Sequence, residues 1–340
     1  MVAEPQLHCG GARWFRATRT AFGFGRAPSA VSVHGSGWHT VGVSEPARDE
    51  DVHDWALALG LPGLIDIHTH FLPPRMMRRV WAHFSEGSPL IGRAWPVAYM
   101  WPDDERIAHL RGMGVHHFSA LAYAHRPSMA ADLNDWTLEF ADNTPDCIPS
   151  MTFYPEPGVL DYVDAALARG ARIAKLHLQV GGFDPADALL DDVWGRLDEV
   201  GLPVVVHAGS GPVKAGYTGP EPFEAVLRRH PRLIAVIAHC GAPEYAGFFA
   251  LARRYPRVCL DTTMVGTDFF NALGALPEAL LPEFRALGRD GRVLLGSDFP
   301  NIPYPYAEQI AALVRFGLGD DWLRAVCWNN AQELLDLDPA

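Results

Sequence analysis

Three ionisable residues occupy every second position of a mostly apolar stretch, GLIDIHTHFLPP, at residues 63–74. They are Asp66, His68 and His70, while Leu64 and Ile65 give the same stretch the character of a β-strand. Alternate side chains of a strand lie on one face, so all three polar residues would point the same way. The spacing therefore predicts that two imidazole rings converge on one point, as the ligands of a metal ion do.

Polar residues also end other apolar runs of the chain. Histidine follows PVVV at His207 and IAVIA at His239, and aspartate follows VLLGS at Asp298. The run RIAKLHLQ ends in Lys175, His177 and Gln179. A single histidine in such a place is more often an ordinary polar group on a loop. The agreement among five runs, whose interiors stay apolar, instead indicates one shared site.

Imidazole nitrogens and carboxylates are ligands that zinc prefers. We expect His68, His70, His207 and Asp298 to hold one divalent ion, with Zn²⁺ preferred and Mn²⁺ as the alternative. Such an ion lowers the pKa of its water from about 15.7 to about 7. Asp298 is then expected to take the proton of that water, and His239 to orient the water or protonate the leaving group. Asp66 is a candidate for holding the histidine rings in place.

Eight strand-like runs alternate with amphipathic helical segments from about residue 51 onward, which predicts an α/β fold of the (β/α)8 TIM-barrel type. The runs cover residues 63–70, 115–123, 147–154, 172–179, 203–209, 233–241, 258–263 and 292–298. Active sites of such barrels lie at the C-terminal ends of the strands, where the polar residues fall. No G-x-G-x-x-G follows a strand to favour a dinucleotide-binding fold instead.

The stretch between the first two predicted strands, residues 71–114, is too long for a simple connection. It contains the aromatic residues Trp81, Phe84, Trp95, Tyr99 and Trp101. We expect a partly helical insert over the mouth of the barrel. Its aromatic residues either form a water-excluding lid, in which Trp101 contacts a planar substrate, or pack the insert onto the barrel or a partner subunit.

Composition narrows the classes of partner. The formal charge of −12 disfavours nucleic acids and anionic membranes as partners, and no apolar run is long enough to cross a membrane. Five cysteines without a C-x-x-C pair predict free thiols and a cytoplasmic protein. Residues 1–50 are predicted to be a disordered or non-core extension, with a transit peptide as the alternative, and residues 51–340 the barrel. A homodimer is the default expectation for the oligomeric state.

The motifs DIHTH, VVVHAG, AHCG and GSDFP, on the first, fifth, sixth and eighth predicted strands, and the closing NNAQELL resemble the amidohydrolase superfamily. The resemblance is to its amidohydrolase-related group (amidohydrolase family 2) and covers about residues 60–337. It implies a metal-dependent barrel enzyme, with ligand roles for His68, His70, His207 and Asp298 and an acid–base or water-positioning role for His239.

The resemblance leaves the reaction open between two types. The group contains hydrolases as well as non-oxidative decarboxylases similar to aminocarboxymuconate-semialdehyde decarboxylase. A decarboxylase of that type implies an arginine in the insert that holds the substrate carboxylate, and Arg93 is the nearest option. Arg93 lies farther from Trp101 in the sequence than that role suggests. We therefore expect a hydrolase of a C–N, lactone or related bond of a small, aromatic or carboxylate substrate, with the decarboxylase as alternative and a non-catalytic metal-binding barrel as a third.

Lysine is rare in this chain, with two lysines against 26 arginines. Both, Lys175 and Lys214, fall on or just past the ends of predicted strands on the catalytic face. In some relatives a lysine after the fourth strand is carboxylated and bridges two metal ions, which is one role for Lys175. We prefer a single ion, with Lys175, His177 and Gln179 binding a substrate carboxylate. Simple exposure of both lysines to solvent is the remaining interpretation.

Overall fold

In the described residues, nine short parallel strands alternate with helices, except that two of the strands are separated by a single residue. The computed structural model describes residues 44–85, 94–212 and 214–338. The strands are β1 (Leu64–Asp66), β2 (Val115–Ser119), β3 (Cys147–Ile148), β4 (Ser150–Thr152), β5 (Ile173–His177), β6 (Val204–His207), β7 (Ala235–Ile237), β8 (Val258–Asp261) and β9 (Val293–Leu294).

Helices connect successive strands and cover them from outside. They are α1 (Val52–Ala58), α2 (Pro74–Ser85), α3 (Asp103–Gly112), α4 (Ala130–Asp142), α5 (Val159–Ala168), α6 (Leu178–Gly181), α7 (Asp191–Val200), α8 (Pro220–Arg229), α9 (Tyr245–Arg254), α10 (Asp268–Gly274), α11 (Leu281–Arg289), α12 (Tyr306–Arg315), α13 (Asp320–Arg324) and α14 (Asn330–Leu335). The interior of β6, Val204 to Val206, is fully buried. Burial of successive strand residues is what a parallel sheet covered by helices requires.

The strands form two hydrogen-bonded ladders, β1-β2-β3 and β4 through β9, each in sequence order. Pro149 separates β3 from β4 because proline has no N–H to donate to a ladder, so the predicted strand at 147–154 is two shorter ones. Beyond the ladders, Ile67 N donates to Leu295 O at 3.0 Å and Asp298 N to His68 O at 2.9 Å. These bonds bring the first and last strands side by side, as the predicted barrel requires.

The insert after β1 packs onto the barrel through its aromatic residues. The indole N–H groups of Trp81 and Trp95 donate to the side-chain and backbone oxygens of Asn301, at 3.1 and 2.7 Å. The Trp95 ring also lies 4.8 Å from that of Phe269, centroid to centroid. The sequence left open whether the aromatic residues of the insert form a lid or pack onto the barrel or a partner subunit. Trp81 and Trp95 pack onto the barrel.

Asp49 attaches the segment before α1 to the rest of the fold. Its buried carboxylate accepts hydrogen bonds from Tyr99 Oη at 2.5 Å, His109 Nε2 at 2.8 Å and the backbone N–H of Ala307 at 2.8 Å. The predicted N-terminal extension at residues 1–50 lies outside the described residues up to residue 43. Within the described part of the chain, no helix has the length and apolar character needed to cross a bilayer.

Candidate metal centre

His68, His70 and Asp298 meet at the C-terminal ends of the first and last strands. One ligand atom from each lies within 4.8 Å of the others. Asp298 Oδ1 is 2.8 Å from His70 Nε2 and 3.6 Å from His68 Nε2. Burial alone would raise the pKa of Asp298, but the neighbouring histidines hold it well below its ordinary value. The structure thus brings together a carboxylate and the two imidazoles whose convergence the sequence predicts.

The other ring nitrogens of both histidines are held by the protein. His68 Nδ1 lies 2.8 Å from Asp261 Oδ2 and 3.0 Å from Thr263 Oγ1, and His70 Nδ1 lies 2.7 Å from Leu121 O. Burial lowers the pKa of His68 to about 4, so this ring is neutral at pH 7 and carries one proton. Without an ion, His70 Nε2 donates to Asp298 Oδ1 at 2.8 Å. A divalent ion would take the place of this proton and bind both Nε2 lone pairs and the carboxylate, so this donor set fits such an ion.

Asp66 does not hold a histidine ring, contrary to the sequence-based expectation. Its carboxylate accepts from the backbone N–H of His68 at 3.1 Å and from the hydroxyls of Ser297 and Tyr306 at 2.5 and 3.0 Å. Asp261 at the end of β8 contacts the His68 ring instead. The sequence carried the same signal for Asp261 as for the other site residues, because it ends the apolar part of the run VCLDTT.

His207, the predicted fourth ligand, lies beside the three-residue group and not within it. Its Nε2 donates to Gly211 O at 3.0 Å, because the loop after β6 brings this carbonyl back toward the ring. The ring stacks on that of His177 with centroids 3.9 Å apart and planes inclined by 10°. The role of His207 as a metal ligand stays a prediction.

His239 lies in a left-handed turn directly after β7. The φ angles of His239, Cys240 and Gly241 are 55°, 51° and 78°, a region that non-glycine residues seldom adopt. The backbone N–H of His239 donates to Asp261 Oδ1 at 2.8 Å, and its Nδ1 lies 3.1 Å from Thr263 O. Burial lowers the pKa of His239. With its proton on Nδ1, the neutral ring offers Nε2 as a proton acceptor.

Lys175 is buried at the centre of this cluster, with 1% of its surface exposed. Its Nζ lies 2.8 Å from His68 Nε2. Burial lowers the pKa of Lys175 to about 8. Lys214, in contrast, is exposed to solvent. The interpretation of both lysines as solvent-exposed is therefore wrong for Lys175.

Six aromatic side chains form a closed ring around the site, each in contact with the next. In order they are His68, His70, Tyr123, His177, His207 and His239, with neighbouring centroids between 3.9 and 5.9 Å apart. Sequence reasoning missed Tyr123, although it ends the predicted second strand. His177 Nδ1 accepts from Val180 N at 3.3 Å. This bond leaves the proton of neutral His177 on Nε2, as a hydrogen-bond donor.

The other predicted substrate-binding residues are Gln179, Trp101 and Arg93. Gln179 belongs to the short helix α6, directly after β5. Trp101 is 36% exposed, and its ring packs at 5.1 Å on both Tyr99 and His109 rather than on the histidine cluster. Arg93 lies outside the described residues.

Comparison with known proteins gives a family and a set of similar structures. The amidohydrolase family model matches residues 65–337. No match was found among curated proteins. An uncharacterized TIM-barrel protein from Bordetella bronchiseptica has a TM-score of 0.63 at 20% identity, covering 80% of this chain and 99% of that one.

Two further similar structures come from other organisms. A probable 2-pyrone-4,6-dicarboxylic acid hydrolase from Acinetobacter baumannii, with citric acid bound, has a TM-score of 0.55 at 18% identity, covering 81% of this chain and 100% of that one. The IDCase of Metarhizium anisopliae has a TM-score of 0.54 at 18% identity, covering 83% and 100%. The predicted TIM-barrel fold is confirmed.

Proposed function

Because the chain belongs to the amidohydrolase family, we propose that it is a metal-dependent hydrolase acting on a C–N, lactone or related bond of a small molecule. The observation that carries the proposal is the His68, His70 and Asp298 group, with the ring of His239 packed against that of His68 at 5.6 Å. Members of this family are generally metal-dependent. Two imidazoles and a carboxylate are also a ligand set of catalytic zinc sites that keep a position open.

One Zn²⁺ held by His68 Nε2, His70 Nε2 and Asp298 is the proposed cofactor, with Mn²⁺ as the alternative. Such an ion makes water a nucleophile at neutral pH by lowering its pKa. His207 completes the proposed ligand set only if its Nε2 releases the carbonyl of Gly211, or its ring turns Nδ1 toward the ion. Three protein ligands already suffice for a catalytic site.

The chain's own residues supply the proton transfers. Asp298 is a carboxylate beside both histidines and is suited to take a proton from the attacking water. The His239 ring packs against those of His68 and His207, and its Nε2 orients the water or receives the water's proton from Asp298 and passes it to the leaving group. His177 presents its Nε2 proton on the same side of β5 as Lys175, and we assign it to the substrate oxygen on which negative charge develops.

Lys175 is proposed to bind a carboxylate of the substrate. It is a buried cation next to the proposed metal, and burial strengthens its attraction for an anion. A carboxylated Lys175 that bridges two ions is the competing proposal, because its Nζ lies within ligand distance of the same cluster. The two proposals differ in the number of ions bound per chain.

Metal content tests the proposed function directly. The protein is purified from cultures grown with zinc and with manganese, and elemental analysis is run on wild type, His70→Ala, Asp298→Ala and His83→Ala. His83 is exposed on α2, so its variant controls for the loss of a histidine as such. We expect a single equivalent in wild type and in His83→Ala and loss of metal in the other two. Absence of metal from wild type under both conditions would refute the proposal and favour a non-catalytic barrel.

Product analysis separates hydrolysis from the alternative, a non-oxidative decarboxylation on the same site. The metal-loaded enzyme is given lactones, cyclic amides and aromatic carboxylates, and ring-opened products and carbon dioxide are measured separately. We expect ring opening without carbon dioxide. Release of carbon dioxide with no hydrolysis product would assign the decarboxylase.

Compartment and partners complete the proposal. Cys147, Cys240, Cys259 and Cys327 are free and buried, which suits a reducing compartment such as the cytoplasm. The substrate is proposed to be a small molecule. The negative net charge argues against nucleic acids and anionic membranes as partners. The proposed assembly is a homodimer.

A further inference from the structure

Asp261 joins two parts of the site through a single carboxylate. It is 0% exposed at the end of β8. Oδ2 lies 2.8 Å from His68 Nδ1, whereas Oδ1 accepts the backbone N–H groups of His239 at 2.8 Å and Thr263 at 3.1 Å. Each oxygen therefore serves a different residue of the site, the proposed metal ligand on one side and the proposed acid–base residue on the other.

We propose that Asp261 is a positioning residue that fixes His68 in the tautomer with its proton on Nδ1 and, with its other oxygen, holds the turn that carries His239. The inference rests on the proposed function for its catalytic meaning and deepens it. Its structural content, a tautomer and a turn, can be measured without any metal.

The proposed control of the His68 tautomer follows from the hydrogen-bonding capacity of a carboxylate. An ionised aspartate only accepts, so the ring nitrogen facing it must carry a proton. The Oδ1 atom of Asp261 accepts two backbone N–H groups, and hydrogen bonds of this kind favour the ionised carboxylate. Thr263 Oγ1, 3.0 Å from the same nitrogen, can donate or accept and cannot select a tautomer. Asp261 thus leaves His68 Nε2 with a lone pair, which accepts from Lys175 Nζ at 2.8 Å, so both neighbours favour the same tautomer.

The proposed support of the turn that carries His239 follows from the backbone angles after β7. His239 and Cys240 both adopt left-handed backbone angles, which side chains disfavour. Each of them bonds to Asp261: the His239 N–H to Oδ1, and the Cys240 thiol to the backbone oxygen at 3.1 Å. A buried N–H without an acceptor would be costly, so the carboxylate stabilises the turn that points the ring of His239 toward the site.

Substitution of Asp261 by asparagine separates its two proposed roles, one at the His68 ring and one at the turn that carries His239. In Asp261→Asn one oxygen can still accept from His239 and Thr263, while the amide N–H₂ now faces His68 Nδ1. A donor in that position requires an unprotonated Nδ1, so the proton of His68 moves to Nε2, where it breaks the hydrogen bond from Lys175 and blocks the proposed ligand. Asp261→Ala removes both interactions. Asp49→Asn is the matched control, because Asp49 is also buried and has three partners away from the site.

Three measurements test the inference. Nitrogen-15 NMR of the metal-free protein reports the His68 tautomer, assigned with His68→Gln. Hydrogen exchange reports protection of the His239 amide, and titration with Zn²⁺ against a chromophoric chelator reports affinity. We expect an Nδ1 proton in wild type and an Nε2 proton with about 10–100-fold weaker Zn²⁺ binding in Asp261→Asn. The His239 amide should remain protected in Asp261→Asn and exchange faster in Asp261→Ala, with Asp49→Asn like wild type in all three measurements.

Several outcomes overturn the inference. An Nε2 proton on His68 in the wild-type metal-free protein does so without any variant, which covers the case that Asp261→Asn does not fold. Unchanged tautomer and affinity in a folded Asp261→Asn, or equal protection of His239 in Asp261→Ala and wild type, would do so as well. Failure of wild type to bind Zn²⁺ refutes the proposed function instead and leaves the tautomer and exchange results to decide this inference.

Discussion

The ammonium nitrogen of Lys175 lies 2.8 Å from His68 Nε2, the same nitrogen that faces Asp298. A lysine in this position and a metal ion compete for one lone pair, since the lysine donates a proton to it and the ion would accept its electrons. Lys175 must therefore shift, lose its proton or become a ligand when the ion binds. Its pKa of about 8, lowered by burial, makes loss of the proton feasible near neutral pH.

Replacement of Lys175 distinguishes these possibilities. Lys175→Met keeps the length and apolar stem of the side chain and removes the charge. We expect a single equivalent of zinc per chain to be retained with higher affinity, because a neighbouring positive charge that repels the ion is gone. Elemental analysis measures the number of zinc equivalents, and chelator competition measures the affinity. Lys214→Met is the control, because Lys214 is exposed. A fall from two equivalents in wild type to one in Lys175→Met would instead identify a bridging ligand.

His207 is predicted to contribute less to metal affinity than His70. Its Nε2 is bonded to Gly211 O in the structure, so part of any gain on ligation is offset by the loss of this bond. His207→Ala should therefore weaken Zn²⁺ binding by a smaller factor than His70→Ala. Competition titrations of the two variants give the comparison. An equal or larger loss for His207→Ala would make it a full member of the ligand set.

Gly296 is predicted to tolerate no side chain. A Cβ at this position would lie 2.3 Å from Thr263 Oγ1 and 2.8 Å from His68 Cβ, both of which belong to the site. Gly296→Ala should displace His68 and lower Zn²⁺ affinity as well as stability, with overpacking of this kind costing about 1–3 kcal/mol. Gly112→Ala is the control, because nothing lies within 4 Å of its added Cβ. Urea unfolding and metal titration should leave Gly112→Ala unchanged and Gly296→Ala impaired. Normal behaviour of Gly296→Ala would contradict the close approach of Gly296 to Thr263 and His68.

Asp49 is predicted to stabilise the fold in a pH-dependent way. Burial would raise its pKa, but hydrogen bonds from His109, Tyr99 and Ala307 outweigh burial and lower it. A carboxyl group with a lowered folded-state pKa stabilises above its unfolded pKa of about 3.9, and this contribution is lost as the pH falls through the folded-state value. Asp49→Ala should reduce the free energy of unfolding by about 1–3 kcal/mol at pH 7.

The pH dependence of the free energy of unfolding tests the predicted role of Asp49. Urea unfolding of wild type and Asp49→Ala is compared at pH 7 and at a series of acidic pH values that starts at the unfolded value of about 3.9 and extends below the lowered folded-state pKa. The difference between the two proteins should shrink at acidic pH, while Asp54→Ala, at an exposed position of α1, should match wild type throughout. A difference that stays constant with pH would assign the effect to lost packing rather than to the charge.

The sequence predicts the fold and the centre of the site because both depend on local patterns. Alternation of side chains in GLIDIHTH sets the common face of His68 and His70, and the polar residue after VLLGS marks the end of the last strand. These signals need only the period of a strand and the rule that barrel strands end at the active site. The break of the third predicted strand was also readable, since Pro149 cannot donate to a ladder.

Other parts of the site depend on geometry between distant elements. The bond from His207 to Gly211 depends on the path of a loop, and the approach of Lys175 to His68 depends on the tilt of β5 relative to β1. Asp261 and Tyr123 carried the same strand-end signal as the predicted residues, but an aspartate before two threonines and a lone tyrosine also fit ordinary loops. Only the contacts with His68 and His70 distinguish them.

The pairing of β1 with the end of the chain has a consequence for folding. His68 meets Asp261 across 193 residues, and His70 meets Asp298 across 228. Contacts of such sequence separation form only after large loops have closed, and proteins dominated by them fold slowly. During synthesis, the proposed ion has no complete set of ligands until the last strand has left the ribosome. If the chain binds the proposed ion, its acquisition is therefore a late event that reports that the two ends of the barrel have met.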